Sequence, residues 1–159
     1  MGFDSYTPVA DIAVIAVCSA VFILLATSYV NRTRSFHIFS SIVGVVFLAA
    51  MVNIGYHMLL AENLFELRGL IYTLRVFYHS LLFDVFFLFI LYTTIVSDLE
   101  RKKSRTIVMI SSGLFVAVVG LDVLMTIIGI GFRIGEDGII REGSNVFLFG
   151  YTLFFILLV

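Results

Sequence analysis

Long runs of hydrophobic residues alternate with short polar breaks along the whole chain. A helix needs about 20 apolar residues to cross a hydrocarbon core of roughly 30 Å. On this criterion the sequence contains five runs, at 8–30, 36–60, 70–97, 106–130 and 146–159. The pattern predicts an all-α fold, a polytopic transmembrane helical bundle that forms one domain over residues 1–159 and has the lipid bilayer as its partner.

The fifth run differs from the other four in its length. It contains 14 residues, 146–159, and these would form a helix of about 21 Å, shorter than the hydrocarbon core. It also ends on "FFILLV" without a polar flank. We therefore expect that this fifth span is incomplete and that the chain is the N-terminal part of a longer protein.

The breaks differ in charge, and this difference predicts the orientation in the membrane. The first break, "NRTR", and the third, "DLERKKSR", are the most basic. The second and fourth breaks have fewer basic residues, each beside acids. Because loops rich in Lys and Arg stay in the cytoplasm, the N-terminus is expected outside the cell membrane. Three glycines among the charges of the fourth break, at 135, 138 and 143, predict an exposed turn or short hairpin.

The composition of the chain argues against several classes of function. The chain is 61% hydrophobic and 13% charged, with a net charge of -1, so it lacks the basic surface that nucleic-acid binding requires. Cys18 is the only cysteine, which excludes an intrachain disulfide and a cysteine-based metal site. We find no arrangement of nucleophile and base and no glycine-rich phosphate loop, and therefore expect neither an enzyme nor a bound cofactor.

Ionisable and polar residues inside the spans are the candidates for function, because such groups are costly in lipid and usually face the bundle interior or a wet cavity. We assign six of them as candidate ligand-binding residues: Asn53, His57, Tyr72, Arg75, His79 and Asp122. Two more are candidates for fixing helix register or relaying protons: Asp11 and Asp84.

The third span carries polar residues on two faces. Arg75 and His79 are four residues apart and share one face with Tyr72. Asp84 is nine residues beyond Arg75, which is about 900°, or half a turn away. We therefore expect this span to lie centrally, with neighbours on both sides.

The depth of each residue along its span suggests partners. A rise of about 1.5 Å per residue places most of the polar set in the outer half of the membrane and matches Arg75 with Asp11 and His79 with Asp122. One interpretation is a pocket open to the outside, in which Arg75 holds an anionic group of a small-molecule ligand. The alternative is that these groups only pair with one another and fix the packing. A haem held by His57 and His79 is disfavoured, since their depths differ by about 9 Å.

Three stretches, "YTPVADIAVIAV", "SYVNRTRSFHIFSSIVG" and "LRVFYHSLLFDVFFLFILYTTIVSDLERKK", resemble the N-terminal multi-span region of bacterial membrane-bound GGDEF and EAL proteins. The resemblance implies a bundle of helices that precedes cytoplasmic domains making or degrading cyclic di-GMP. The GGDEF and EAL motifs themselves are absent from these 159 residues. A similar helical region heads some bacterial histidine kinases, which leaves a second type of output domain open.

Together these observations predict a sensory or anchoring input module of a bacterial signalling protein. Small residues at Ser40 and Gly44, and at Gly113 and Gly120, would let helices approach closely, within one chain or in a homodimer. The competing class is a small transporter or membrane accessory subunit that uses Asp84 and Asp122 as proton carriers.

Overall fold

The structure is a computed structural model, and it describes residues 7–28, 33–62, 65–97, 101–130, 132–134 and 140–142. Within these ranges the chain forms four α-helices, a short 3-10 turn and two short strands. The helices are α1 (Val9–Thr27), α2 (Arg34–Ala61), α3 (Arg68–Val96) and α4 (Arg101–Ile128); the turn is Phe65–Leu67, and the strands are β1 (Phe132–Ile134) and β2 (Ile140–Glu142).

All four described helices are long and apolar enough to cross a membrane, which confirms the first four predicted runs as helices. The predicted fifth span, 146–159, lies outside the described residues. One boundary is corrected: α4 begins at Arg101, five residues before the predicted start at 106. The segment "RKKSR" is helical because its Lys and Arg residues are good helix formers and it contains neither Gly nor Pro.

Successive helices pack against one another, α1 on α2, α2 on α3 and α3 on α4. They run antiparallel. Phe39, near the start of α2, lies beside Tyr92 near the end of α3, with ring centroids 6.3 Å apart. The central position of α3, between α2 and α4, agrees with the polar residues on two of its faces.

Among the described residues, the buried core lies mainly at the helix interfaces. Phe83 and Ile90 of α3 are almost fully buried with Val118 of α4, and Phe87 stacks near Phe115 with ring centroids 5.7 Å apart. Large apolar side chains on the outer faces of the helices are exposed instead. Exposed apolar side chains on the outside of the bundle are typical of helices whose outer surface faces lipid.

The end of α4 is fixed by a Schellman motif. The N–H of Gly129 donates to Thr126 O at 3.2 Å and the N–H of Ile130 donates to Met125 O at 3.1 Å. Gly129 has a φ of 76°, a left-handed conformation that glycine adopts without the steric cost of a side chain. This turn directs the chain from α4 into β1.

The predicted hairpin is confirmed, since β1 and β2 pair antiparallel with Arg133 opposite Arg141. Its expected exposure needs correction at Ile134, which is only 3% exposed. Ile134 packs with Tyr56 and Leu60 of α2 and Ile71 of α3. The strand therefore covers one end of the bundle, because burying this apolar side chain is favourable.

Candidate functional site

The strongest candidate site lies where α3 and α4 cross. Arg75 Nη1 is 3.7 Å from Asp122 Oδ1, and His79 Nδ1 is 3.8 Å from Asp122 Oδ2. The three side chains are 11%, 17% and 5% exposed for Arg75, His79 and Asp122. The spacing of four residues on α3 places both basic side chains on the face that meets α4. The predicted proximity of His79 and Asp122 is confirmed by this distance.

The interactions around Asp122 are loose. Both N to O distances exceed the 2.7 to 3.2 Å of a direct hydrogen bond. Asp122 Oδ2 is buried and accepts no hydrogen bond from the described residues. Leaving a buried charged acceptor in this condition costs free energy. A shift of α3 relative to α4 that shortens these distances would therefore lower the free-energy cost of the site.

A hydroxyl connects the site with a neighbouring groove. Arg75 Nη1 donates a long hydrogen bond of 3.5 Å to Thr126 Oγ1, one turn after Asp122. Thr126 also lines a groove of about 380 Å³ between α3 and α4. The lining is mostly apolar and consists of Tyr72, Thr73, Val76, Phe77 and Ser80 from α3, and Val123, Thr126 and Ile127 from α4. An apolar groove beside a few polar groups is the usual form of a small-molecule site.

Tyr72 joins this groove to the hairpin. Its ring lines the groove, and its hydroxyl oxygen accepts the N–H of Ile134 at 3.0 Å. The sequence predicts Tyr72 on the same face as Arg75, and the structure adds a role in holding β1. A movement of the hairpin would therefore act on the groove directly through Tyr72.

A second polar cluster lies at the α1–α2 interface. Asn53 Nδ2 donates to Asp11 Oδ2 at 2.9 Å, so Asp11, which depth alone matches with Arg75, is a partner of Asn53. Asp11 is also close enough to act electrostatically on His57 and on Tyr78. Asn53 and His57 thus belong to a different helix interface from Asp122. Tyr78 was missed by the sequence analysis, and the only signal for it was a hydroxyl beside His79 within an apolar run.

Asp84 stands apart from both clusters. It is partly buried in the middle of α3, and none of the described residues forms a hydrogen bond or an ion pair with it. No group of three His, Cys, Asp or Glu side chains within the described ranges is arranged to hold a metal ion. In the described part of the chain, Asp122 with Arg75 and His79 is therefore the best-defined candidate site.

Comparisons of the chain with models of known families, with curated proteins and with solved structures found no match.

Proposed function

We propose that this chain is a membrane-embedded sensory input module of a bacterial signalling protein, lying in the cell membrane with its N-terminus outside. The output would be a cytoplasmic domain that makes or degrades cyclic di-GMP; a histidine kinase is the other output that the sequence resemblance allows. Four apolar helices support membrane embedding, and the buried Asp122 site supports a ligand-dependent role.

The observation that carries the proposal is a single buried carboxylate shared by two basic side chains, Arg75 and His79. A ligand carboxylate can replace Asp122 as the partner of Arg75, since a guanidinium group binds carboxylates through paired hydrogen bonds. Releasing Asp122 from Arg75 removes one polar contact between α3 and α4 and leaves Asp122 beside His79. A ligand that binds one packing of these helices better than the other would shift the equilibrium between them and so change the output.

The groove beside the site indicates the class of ligand. Its walls are mostly apolar, with hydroxyls from Tyr72, Ser80 and Thr126, so it suits an apolar body attached to an acidic group. We therefore expect a small organic acid, approaching from the outer side of the bundle.

The test uses octanoate as the probe and octanamide as its neutral counterpart. The purified chain is heated in detergent with each compound, and unfolding is followed by circular dichroism. Octanoate should raise the unfolding temperature and octanamide should not, because only the acid can pair with Arg75.

Two variants that each remove one positive charge sharpen this test. Arg75→Gln should abolish the shift caused by octanoate. Arg133→Gln removes an exposed charge from β1 and should leave the shift unchanged. Equal shifts with the acid and the amide, or an undiminished shift in Arg75→Gln, would contradict the proposal.

A second candidate function is transport, or service as a membrane accessory subunit, and Asp84 favours it. An intramembrane carboxylate to which the described residues offer no partner is typical of a proton relay. Proton uptake into liposomes that contain the chain, lost in Asp84→Asn, would favour this class over the sensor.

A further inference from the structure

The two ends of the bundle differ in charge. Basic residues collect at the end where α2 and α4 begin, and the described side chains there include no acid: Arg34, Lys102, Lys103 and Arg105. The acids Asp98 and Glu100 precede α4 in sequence, outside the described residues. At the opposite end the exposed acids Glu62 and Glu66 are accompanied by the basic residues Arg68 and Arg133. The end with the start of α4 is therefore the one suited to an anionic partner.

Part of this basic end forms a groove. Lys102, Arg105, Thr106 and Met109 line a groove of about 540 Å³ on α4. They are spaced at i, i+3, i+4 and i+7, so they share one face of the helix. Lys103 is also exposed, but at about 100° per residue it lies off this face. Lys102 and Arg105 therefore line the groove, whereas the neighbouring Lys103 lies outside it.

The residues of the groove are ordered along the helix by polarity. The Thr106 hydroxyl donates to Lys102 O at 3.1 Å, so the groups left to bind an anion are the ammonium of Lys102 and the guanidinium of Arg105. One turn further along the same face, Met109 is 67% exposed. Cationic donors followed by an exposed apolar side chain match the order of phosphate and acyl chain in a phospholipid.

We propose that Lys102 and Arg105 form a binding site for the headgroup phosphate of an anionic phospholipid, with Met109 in contact with its acyl chain. Guanidinium and ammonium groups are the usual partners of phosphate. The charge of the groove and its position beside an exposed apolar helix face favour a lipid over a dissolved ion. This site is independent of the Asp122 site and of the proposed sensory role.

The experiment measures lipid binding to the purified chain in detergent by native mass spectrometry. The probes are dioleoylphosphatidylglycerol, dioleoylphosphatidylcholine and inorganic phosphate. The chain should retain phosphatidylglycerol in preference to phosphatidylcholine, and inorganic phosphate should not displace it at equal concentration. Lys102→Gln and Arg105→Gln should each weaken phosphatidylglycerol binding about fivefold, the factor that corresponds to about 1 kcal/mol per basic residue near an anionic lipid.

Lys103→Gln is the matched control, because it removes the same charge from the next residue, outside the groove. It should change phosphatidylglycerol binding less than twofold. Equal weakening by Lys102→Gln and Lys103→Gln would mean a diffuse basic surface and would overturn the site. Equal retention of the two lipids would also contradict the proposed lipid site. Displacement of phosphatidylglycerol by inorganic phosphate would show that the groove binds a free anion and not a lipid.

Discussion

At the scale of single residues, Asp122 is the most informative side chain of the molecule. It is nearly fully buried and faces both Arg75 and His79. Removing one partner of a buried ion pair leaves the other charge uncompensated in an apolar environment, which costs more than the pair itself contributes. The stability of the bundle should therefore respond strongly to this position.

Asp122→Asn should lower the free energy of unfolding by about 3 to 5 kcal/mol, since Arg75 loses its carboxylate partner. The double variant Arg75→Gln/Asp122→Asn should recover part of the loss, because it removes both charges. Unfolding in detergent by added sodium dodecyl sulfate, followed by circular dichroism, measures four proteins: the unchanged chain, Arg75→Gln, Asp122→Asn and the double variant. Strictly additive losses would show that Arg75 and Asp122 do not interact energetically.

Asn53 provides a contrast, because its interaction with Asp11 is a short hydrogen bond of 2.9 Å between helices. Asn53→Ala should reduce the free energy of unfolding by only about 0.6 kcal/mol, the average for hydrogen bonds between membrane helices. Ser41→Ala, at an exposed position on the same helix, serves as the control in the same measurement. A loss above about 2 kcal/mol would contradict this prediction and show that Asn53 stabilises the bundle more than an average hydrogen bond between membrane helices does.

The sequence predicts some of these residue contacts and not others, for a geometric reason. Depth along a span depends only on the rise per residue, and it correctly brings His79 to Asp122. Depth does not specify which helices are neighbours or which way each helix is rotated. The structure places Asp122 beside Arg75 and shows Asn53 bonded to Asp11, two contacts that depth alone does not predict.

At the scale of secondary structure elements, the apolar runs predict the four described helices because hydrophobic length is a strong and local signal. The start of α4 is less predictable, since charged residues can be either loop or helix. Burial of β1 depends on a contact between Ile134 and residues more than 60 positions earlier, including Tyr72. No local pattern in the fourth break contains that information.

The turn from α4 into β1 depends on Gly129. Gly129→Ala places a side chain at a φ of 76° and should destabilise the protein by about 1 to 2 kcal/mol. Gly113→Ala is the matched control, because Gly113 is helical and a methyl group there would meet nothing within 4 Å; it should be neutral or stabilise by up to about 1 kcal/mol. Equal effects of the two substitutions in the detergent unfolding assay would contradict the role of the turn.

The hydroxyl of Tyr72 should hold β1 against the bundle. Tyr72→Phe keeps the ring in the groove and removes the acceptor of the Ile134 N–H. Hydrogen exchange followed by mass spectrometry should show faster exchange of the β1 amides in this variant, with the amides in the middle of α3 unchanged. Unaltered exchange of β1 would mean that burial of Ile134 alone holds the strand.

At the scale of the whole molecule, the four helices form a row in which α3 contacts both α2 and α4. The two polar clusters lie at different interfaces of this row, Asp11 with Asn53 between α1 and α2, and Asp122 between α3 and α4. The first interface has a short hydrogen bond of 2.9 Å, whereas Arg75 and Asp122 at the second lie 3.7 Å apart. The proposed sensor uses this difference, because a ligand needs a movable interface to change an output.

The central claim is that occupation of the Asp122 site changes the packing of α4 on α3. Spin labels on the exposed positions Leu70 and Leu124, introduced as Leu70→Cys and Leu124→Cys after Cys18→Ala, report the distance between these helices by double electron–electron resonance. Octanoate should shift the distance distribution, Asp122→Asn should produce the same shift without any ligand, and Arg75→Gln should prevent the response to octanoate. An unchanged distribution while octanoate still raises the unfolding temperature would contradict the claim and leave a binding site without a switch.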